Sequence, residues 1–197
     1  MKINNKLDDK VLSEIVKVLN NDGLIIFPTD TVYGIACNAF SDVAVKKLFL
    51  AKKRSFDKPI NVLVDNVFKI NLVVKNINEI EKNLITKYFP GNLTIIFDKK
   101  KEISSLLTSG KDTIGVRIPN NEVALKILAS VDFPLACSSA NISGECCDET
   151  IPDFISHFSS TVDILIYTGK CLDVASTIVR VEDGKLNVLR EGSLKIY

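Results

Sequence analysis

The chain has no tryptophan and a single histidine, His157. That count excludes a histidine-rich metal centre. It also leaves a Ser-His-Asp triad dependent on one residue that sits between Phe154 and Phe158 on a predicted helix, where a packed or surface histidine is the simpler reading. No GxxxxGK[ST] or GxGxxG run is present, so neither Gly-rich way of cradling phosphate applies. No apolar run approaches the ~18 residues needed to span a bilayer, and Met1 to Lys6 lacks the apolar core of a signal peptide. The expectation is a cytoplasmic protein. Five cysteines are present without CxxC spacing, which argues against structural zinc and against a disulfide framework. Cys37 and Cys137 have apolar neighbours and read as small buried hydrophobes; Cys146 and Cys147 are adjacent, and Cys171 stands apart. An excess of one charge is also missing. Lys and Arg total 25 against 24 Asp and Glu, a formal net charge of +1. Nothing pulls the whole molecule toward nucleic acid or membrane, so any anion site must come from local clustering.

What is present is an alternation of helix and strand patterns. Asp8 or Asp9 can cap a helix with the apolar face Val11, Leu12, Ile15, Val16 and Leu19, ending near Gly23. Leu24 to Phe27 is a short apolar run stopped by Pro28 and reads as a buried strand. Ser41 opens a second helix through Val45, Leu48 and Phe49. Strand is expected at Ile60–Val64, helix at Asn76–Phe89, strand at Leu93–Phe97 after the turn chemistry of Pro90-Gly91-Asn92, and strand again at Thr113–Ile118. Asn121 can cap a helix over Glu122–Ser130, followed by a strand at Leu135–Ser138. The last third predicts a helix around Pro152–Phe158 and strands at Val162–Tyr167, Ser176–Val181 and Leu186–Leu189. Asp183-Gly184 lies at the turn of the final hairpin. With 197 residues and no linker or repeat, this predicts one layered α/β domain over residues 1–197, built on a mixed sheet flanked by helices. In such sheets ligands gather beyond strand ends, which is where Thr29–Tyr33, Ser138–Ser143 and Arg190 fall.

Two segments carry chemistry. Lys52-Lys53-Arg54 is a compact cationic knot, and Ser138-Ser139-Ala140-Asn141 is a run of small hydrogen-bonding groups. Together they suit a polyphosphate, whose oxygens guanidinium and ammonium neutralise while hydroxyl and amide groups fix orientation. Each also has a plainer reading. The cations could be a solvated helix end, Thr29 to Thr31 a turn, Ser139 and Asn141 caps, and Arg190 a surface charge. Arg117 is different. It sits in an otherwise apolar strand between Val116 and Ile118, where an unpaired guanidinium is costly, so a partner or ligand is expected. A site of Arg, Lys, Ser, Thr and Asn positions and neutralises rather than trades protons, which suits phosphoryl or nucleotidyl transfer.

In order along the chain, Pro28-Thr29-Asp30-Thr31-Val32-Tyr33-Gly34, Lys52-Lys53-Arg54 with Lys58-Pro59, Pro90-Gly91-Asn92-Leu93-Thr94, Gly115-Val116-Arg117-Ile118-Pro119, Ser139-Ala140-Asn141-Ile142-Ser143-Gly144 and Ser176-Thr177-Ile178-Val179 resemble the motifs of one family. It is the threonylcarbamoyl-AMP synthases of the YrdC/TsaC type, and the likeness runs from about residue 8 to 192. The resemblance implies a YrdC-like fold: a twisted mixed β-sheet flanked by helices, with a large concave cavity. It implies a nucleotidyltransferase that joins L-threonine, bicarbonate or CO2, and ATP into threonylcarbamoyl-AMP and pyrophosphate. The product is the activated donor for N6-threonylcarbamoyladenosine in ANN-decoding tRNAs.

By the same resemblance Thr31, Arg117, Ser139 and Ser176 would hold threonine, with Arg117 on its carboxylate through two parallel hydrogen bonds. Lys52, Arg54, Lys58, Thr113, Asn141 and Arg190 would hold ATP, and Lys52, Arg54, Ser139 and Asn141 would form the catalytic set. Mg2+ would accompany the phosphates, keeping several waters and needing no carboxylate cage. The chain departs from the pattern at Ser55, where proline is usual, at Glu145 to Thr150 before a late Pro152, so that Thr150 is assigned no contact, and at Tyr167-Thr168-Gly169-Lys170. It ends soon after Arg190, which implies the short form. Separate partner proteins would then carry the threonylcarbamoyl group to tRNA, with at most a weak tRNA contact of its own. Two alternatives belong to other classes: a non-catalytic RNA- or nucleotide-binding module, and a carbamoyl-transfer domain that uses carbamoyl phosphate.

Overall fold

Side chains able to cap helices stand where the sequence places them in the computed structural model of the chain, which describes residues 1–171 and 174–196. In chain order the first half comprises β1 (Lys2–Asn4), α1 (Asp9–Asn20), β2 (Ile25–Phe27), β3 (Gly34–Asn38), α2 (Asp42–Ala51), β4 (Asn61–Leu63), α3 (Val67–Ile70), α4 (Glu79–Tyr88) and β5 (Leu93–Asp98). The second half comprises α5 (Ser105–Thr108), β6 (Thr113–Arg117), α6 (Glu122–Ala129), β7 (Leu135–Ser139), α7 (Ile151–Phe158), β8 (Ile164–Ile166), β9 (Thr177–Glu182) and β10 (Lys185–Arg190). Asp8, Ser41 and Asn121 accept the first free backbone N–H groups of α1, α2 and α6. The helix expected from Asn76 begins later, because Asn78 and Glu81 form a reciprocal capping box that fixes its start. The strands β1 and β3 and the single turns α3 and α5 were not expected.

Among the described residues the ten strands form one mixed sheet in the order β1-β8-β2-β3-β7-β4-β6-β5-β9-β10. The pairs β1 and β2 with β8, β4 with β6, and β5 with β9 are parallel, and the others are antiparallel. Because successive side chains point to opposite faces, neighbouring apolar residues feed different cores. Leu24, Ile26, Ile35, Cys37 and Val62 pack with α2, α4 and α7, whereas Ile25, Phe27, Ala36 and Leu63 pack with α1 and α6.

The second of these faces positions the site. Helices α1 and α6 cover it over β2, β3 and the start of β7, and the apolar layer runs out at Leu63 and Cys137. Beyond them the same face carries Asn61, Thr94, Arg117 and Ser139 around a hollow. Gly115 makes room for this floor, since a Cβ there would stand 2.1 Å from Asn61 Oδ1. At the sheet edge, Asp183 and Gly184 (φ +51° and +72°) make the two-residue turn between β9 and β10. The register then slips by one residue between Val188 and Arg190, so that Arg190 rather than Leu189 stands opposite Ile178. That bulge turns Arg190 to the face of the hollow.

The end of α2 separates three consecutive cations. Lys52 is its C-cap, and Arg54 N–H donates to Phe49 O at 2.9 Å while Lys53 N–H donates to Leu50 O at 3.0 Å, a Schellman closure. Lys53 sits left-handed at φ +50° and points to solvent, while Lys52 turns inward and Arg54 returns toward the sheet. Lys53→Gly should therefore stabilise the fold by about 0.5–1 kcal/mol, and a β-branched residue there should destabilise it, as read from urea unfolding midpoints at unchanged slope.

Candidate active site

The hollow has a volume of about 340 Å³ and is lined by side chains from separate parts of the chain. Thr31, Arg54, Arg117, Ser139, Ser176 and Arg190 all face it. They come from the loop after β2, the end of α2, the ends of β6 and β7, the residue before β9, and the bulge of β10. Three guanidinium groups and three hydroxyl groups around one cavity make a binding site for anions with oriented acceptors.

Arg117, at 6% exposure, is the most constrained of them. Its Nη2 donates to Asp30 Oδ1 at 2.5 Å and to Asn92 Oδ1 at 3.1 Å, its Nη1 to Thr31 Oγ1 at 2.9 Å, and its Nε to Gly91 O at 2.9 Å. The partner demanded by a buried guanidinium is thus Asp30, a residue that reads as ordinary turn chemistry in the sequence. Among the described residues four of the five N–H groups are committed, so Arg117 has one to offer a ligand and cannot make the expected pair of parallel bonds without releasing one of these partners. Thr31 is itself pinned, its backbone N–H donating to Thr29 Oγ1 at 3.1 Å.

Arg54 and Arg190 are less committed. Arg54 donates from Nε to Lys58 O at 3.0 Å and from Nη2 to Pro59 O at 2.9 Å, which folds the 54–59 loop around its side chain and leaves three N–H groups. Arg190 clasps Ser176, donating to its carbonyl from Nε and Nη2 at 3.0 and 2.7 Å. Ser176 Oγ in turn shares a 2.8 Å bond with Thr94 Oγ1, a buried hydroxyl on β5 that sequence reasoning passed over. Burial lowers the pKa of all three guanidinium groups, yet arginine stays charged throughout the working pH range. Burial pushes the Cys137 thiol up to about 12, so it serves as an uncharged part of the wall.

The remaining expected residues stand elsewhere. Lys52 is 1% exposed and lies behind the wall. Its Nζ donates to Ser139 O, to Asn141 O at 2.7 Å and to Asn141 Oδ1 at 3.2 Å. Asn141, also buried, accepts from Ser139 Oγ at 2.5 Å and donates to Ile142 O and Glu145 O, both at 2.9 Å. In this arrangement Lys52 and Asn141 shape the wall that presents Ser139 rather than reaching into the hollow. Lys58 is exposed on the loop that Arg54 gathers. Thr113 is at the opposite end of β6, on the Arg117 face but beyond Gly115, and is not part of the lining. Thr150 caps α7 and is occupied with Asp153. Among the described residues no group of three or more His, Cys, Asp or Glu side chains is placed to hold a metal ion, and no helix is long and apolar enough to cross a membrane.

Residues 17–192 match the family model Sua5_yciO_yrdC, described as telomere recombination. The chain belongs to this family. A Methanocaldococcus jannaschii protein assigned as a threonylcarbamoyl-AMP synthase is 37% identical over 98% of this chain and 91% of its own length. The Pyrococcus abyssi threonylcarbamoyl-AMP synthase is 33% identical over 88% of this chain but only 51% of its own length, so the chain spans about half of that relative. The crystal structure of P. abyssi Sua5 complexed with L-threonine superposes with a TM-score of 0.91 at 29% identity, covering 98% of this chain and 57% of that one. The family fold, a twisted mixed sheet flanked by helices, is the fold of this chain.

The buried position of Lys52 has a pH signature. Burial and the nearby Arg54 hold its pKa down to about 8, below the ordinary lysine value of 10.5. Between those two values the unfolded chain binds the extra proton, so the contribution of Lys52 to stability is full above the upper value and is lost as pH falls through about 8. The stability gap between wild type and Lys52→Met should accordingly widen as pH is raised from 7 to 10, a trend read from denaturant unfolding of both proteins at each pH.

Proposed function

We infer that this chain is a threonylcarbamoyl-AMP synthase, a nucleotidyltransferase that consumes ATP, L-threonine and bicarbonate or CO2. The observation that carries this is the meeting of Arg54, Arg117, Ser139, Ser176 and Arg190 on one cavity, in a chain of the Sua5/YciO/YrdC family. The threonine amine adds to CO2 and loses a proton, giving a carbamate. A carbamate oxygen then attacks the α-phosphorus of ATP, the bond to the bridging oxygen breaks, and pyrophosphate leaves with its electron pair. When bicarbonate is the source, one water is also released. The carbamate survives best in a sheltered cavity, and no covalent enzyme intermediate is required.

The roles of the arginines follow from which of their donors remain free. Arg54 and Arg190 neutralise the triphosphate, helped from the loop edge by Lys58, and the charge they face grows as the reaction proceeds. Thr31, Ser139 and Ser176 orient threonine, and the last free N–H of Arg117 meets its carboxylate. Lys52 and Asn141 keep the Ser139 wall in shape. Mg2+ would accompany ATP as the counterion of its phosphates and, with no cluster of three or more His, Cys, Asp or Glu side chains placed for it among the described residues, would keep most of its waters. The chain acts as one domain in the cytoplasm and hands threonylcarbamoyl-AMP to partner proteins that modify tRNA, with little RNA contact of its own.

Pyrophosphate release from ATP should require L-threonine and bicarbonate together. Arg54→Ala should lower kcat/KM by about 30- to 100-fold while the circular dichroism melt is retained, from the loss of charge-assisted hydrogen bonds. Arg117→Ala should raise KM for threonine more than KM for ATP. Pyrophosphate release independent of threonine, carbamoyl-phosphate cleavage in its place, or tight RNA binding without turnover would each count against this function.

A further inference from the structure

The one histidine, with no part in the cavity lining, stands in a cluster beside it. His157 lies in the last turn of α7. Its Nδ1 faces both carboxylate oxygens of Asp148, at 3.0 Å from Oδ1 and 2.9 Å from Oδ2. Its Nε2 is 3.8 Å from Glu145 Oε2. The imidazole therefore brackets the segment 145–148 from two sides, and Cys147, within that segment, lines the cavity.

The same segment is fastened to the Ser139 wall. Asp148 N–H donates to Ala140 O at 3.1 Å, Glu145 N–H to Ile142 O at 3.0 Å, and Asn141 Nδ2 to Glu145 O at 2.9 Å. Asp148 is 6% exposed, so its carboxylate is costly to keep in place without a charged or hydrogen-bonding partner. Burial pushes its pKa upward, and the bond from His157 is the leading influence in the other direction. An element with α7 at one end and Asn141 at the other thus depends on one imidazole.

We propose that the His157–Asp148 clasp is a positioning device for threonine: it holds the 145–148 segment against Asn141, whose amide oxygen fixes the Ser139 hydroxyl, so that His157 sets threonine affinity without touching the reacting atoms. The proposal rests on the function assigned above. Its energetic logic is pre-organisation, in which ordering the wall before binding removes that cost from the binding step. Phe158, edge-on to the imidazole at 6.1 Å, and the cap at Thr150 fix the helix end from which His157 reaches.

The test compares His157→Leu, which keeps apolar packing but offers no N–H, with His157→Asn, whose side-chain amide can replace Nδ1–H. Steady-state kinetics should show KM for threonine raised about tenfold in His157→Leu, with kcat within about twofold and KM for ATP little changed, and most of the loss recovered in His157→Asn. Hydrogen exchange adds a readout independent of turnover: the Asp148 amide should exchange faster in His157→Leu and at the wild-type rate in His157→Asn. A folded His157→Leu protein with unchanged KM for threonine overturns the clasp, as does an asparagine variant no better than leucine. If His157→Leu does not fold, the asparagine variant decides alone, with wild-type KM for threonine supporting the clasp and a tenfold rise overturning it. Absence of threonine-dependent turnover in the wild type would sink the assigned function instead, which keeps the two failures distinguishable.

Discussion

The site depends on one buried ammonium. Lys52 ends a helix, yet it spends its Nζ on oxygens of Ser139 and Asn141, 87 and 89 positions further along the chain. Removing it would leave carbonyl oxygens facing a dry interior, which costs more than losing a surface ion pair. The return contact strengthens the tie, since Ser143 N–H donates to Lys52 O at 2.9 Å. Helix end and loop are therefore stitched in both directions, and the hydroxyl of Ser139 is presented from a wall that cannot drift. Arg117 does the same on the facing side, joining Asp30, Thr31, Gly91 and Asn92, which come from two different loops.

These two hubs divide the cations of the site into two kinds. Lys52 and Arg117 are largely occupied by the protein and give the cavity its form. Among the described residues Arg54 and Arg190 each retain unused N–H groups and give it its appetite for anions. Such a division suits chemistry in which charge builds on phosphate oxygens, because groups already fixed in direction need no rearrangement as the transition state forms.

Much of the fold was legible because local chemistry and global packing agree in this chain. Asp8, Ser41 and Asn121 announce helix starts, and Asp183-Gly184 announces its hairpin. The strands that escaped notice show why pattern alone is incomplete. Gly34 to Asn38 is small and apolar without alternation, since both faces of β3 are covered, and it is a strand because β2 and β7 flank it. Lys2 to Asn4 is polar and short, and only its pairing with β8 at the sheet edge makes it one. In the site, the need of Arg117 for a partner could be read from its apolar neighbours, but Asp30 could not be named, because that contact spans 87 positions. Three adjacent cations gave no sign that the middle one, left-handed at the helix end, would send its neighbours to opposite sides of a wall. That outcome belongs to backbone geometry, which composition does not record.

The slipped register in β10 carries a consequence for how this hairpin can vary. A surface hairpin ordinarily accepts residues gained or lost near its tip, since only solvent notices. Here the count of residues between Val188 and Arg190 decides whether a cation or an aliphatic side chain looks into the hollow. The permissive zone of the loop thus stops short of its last strand residues, and in that stretch chain length itself acts as a functional letter of the sequence.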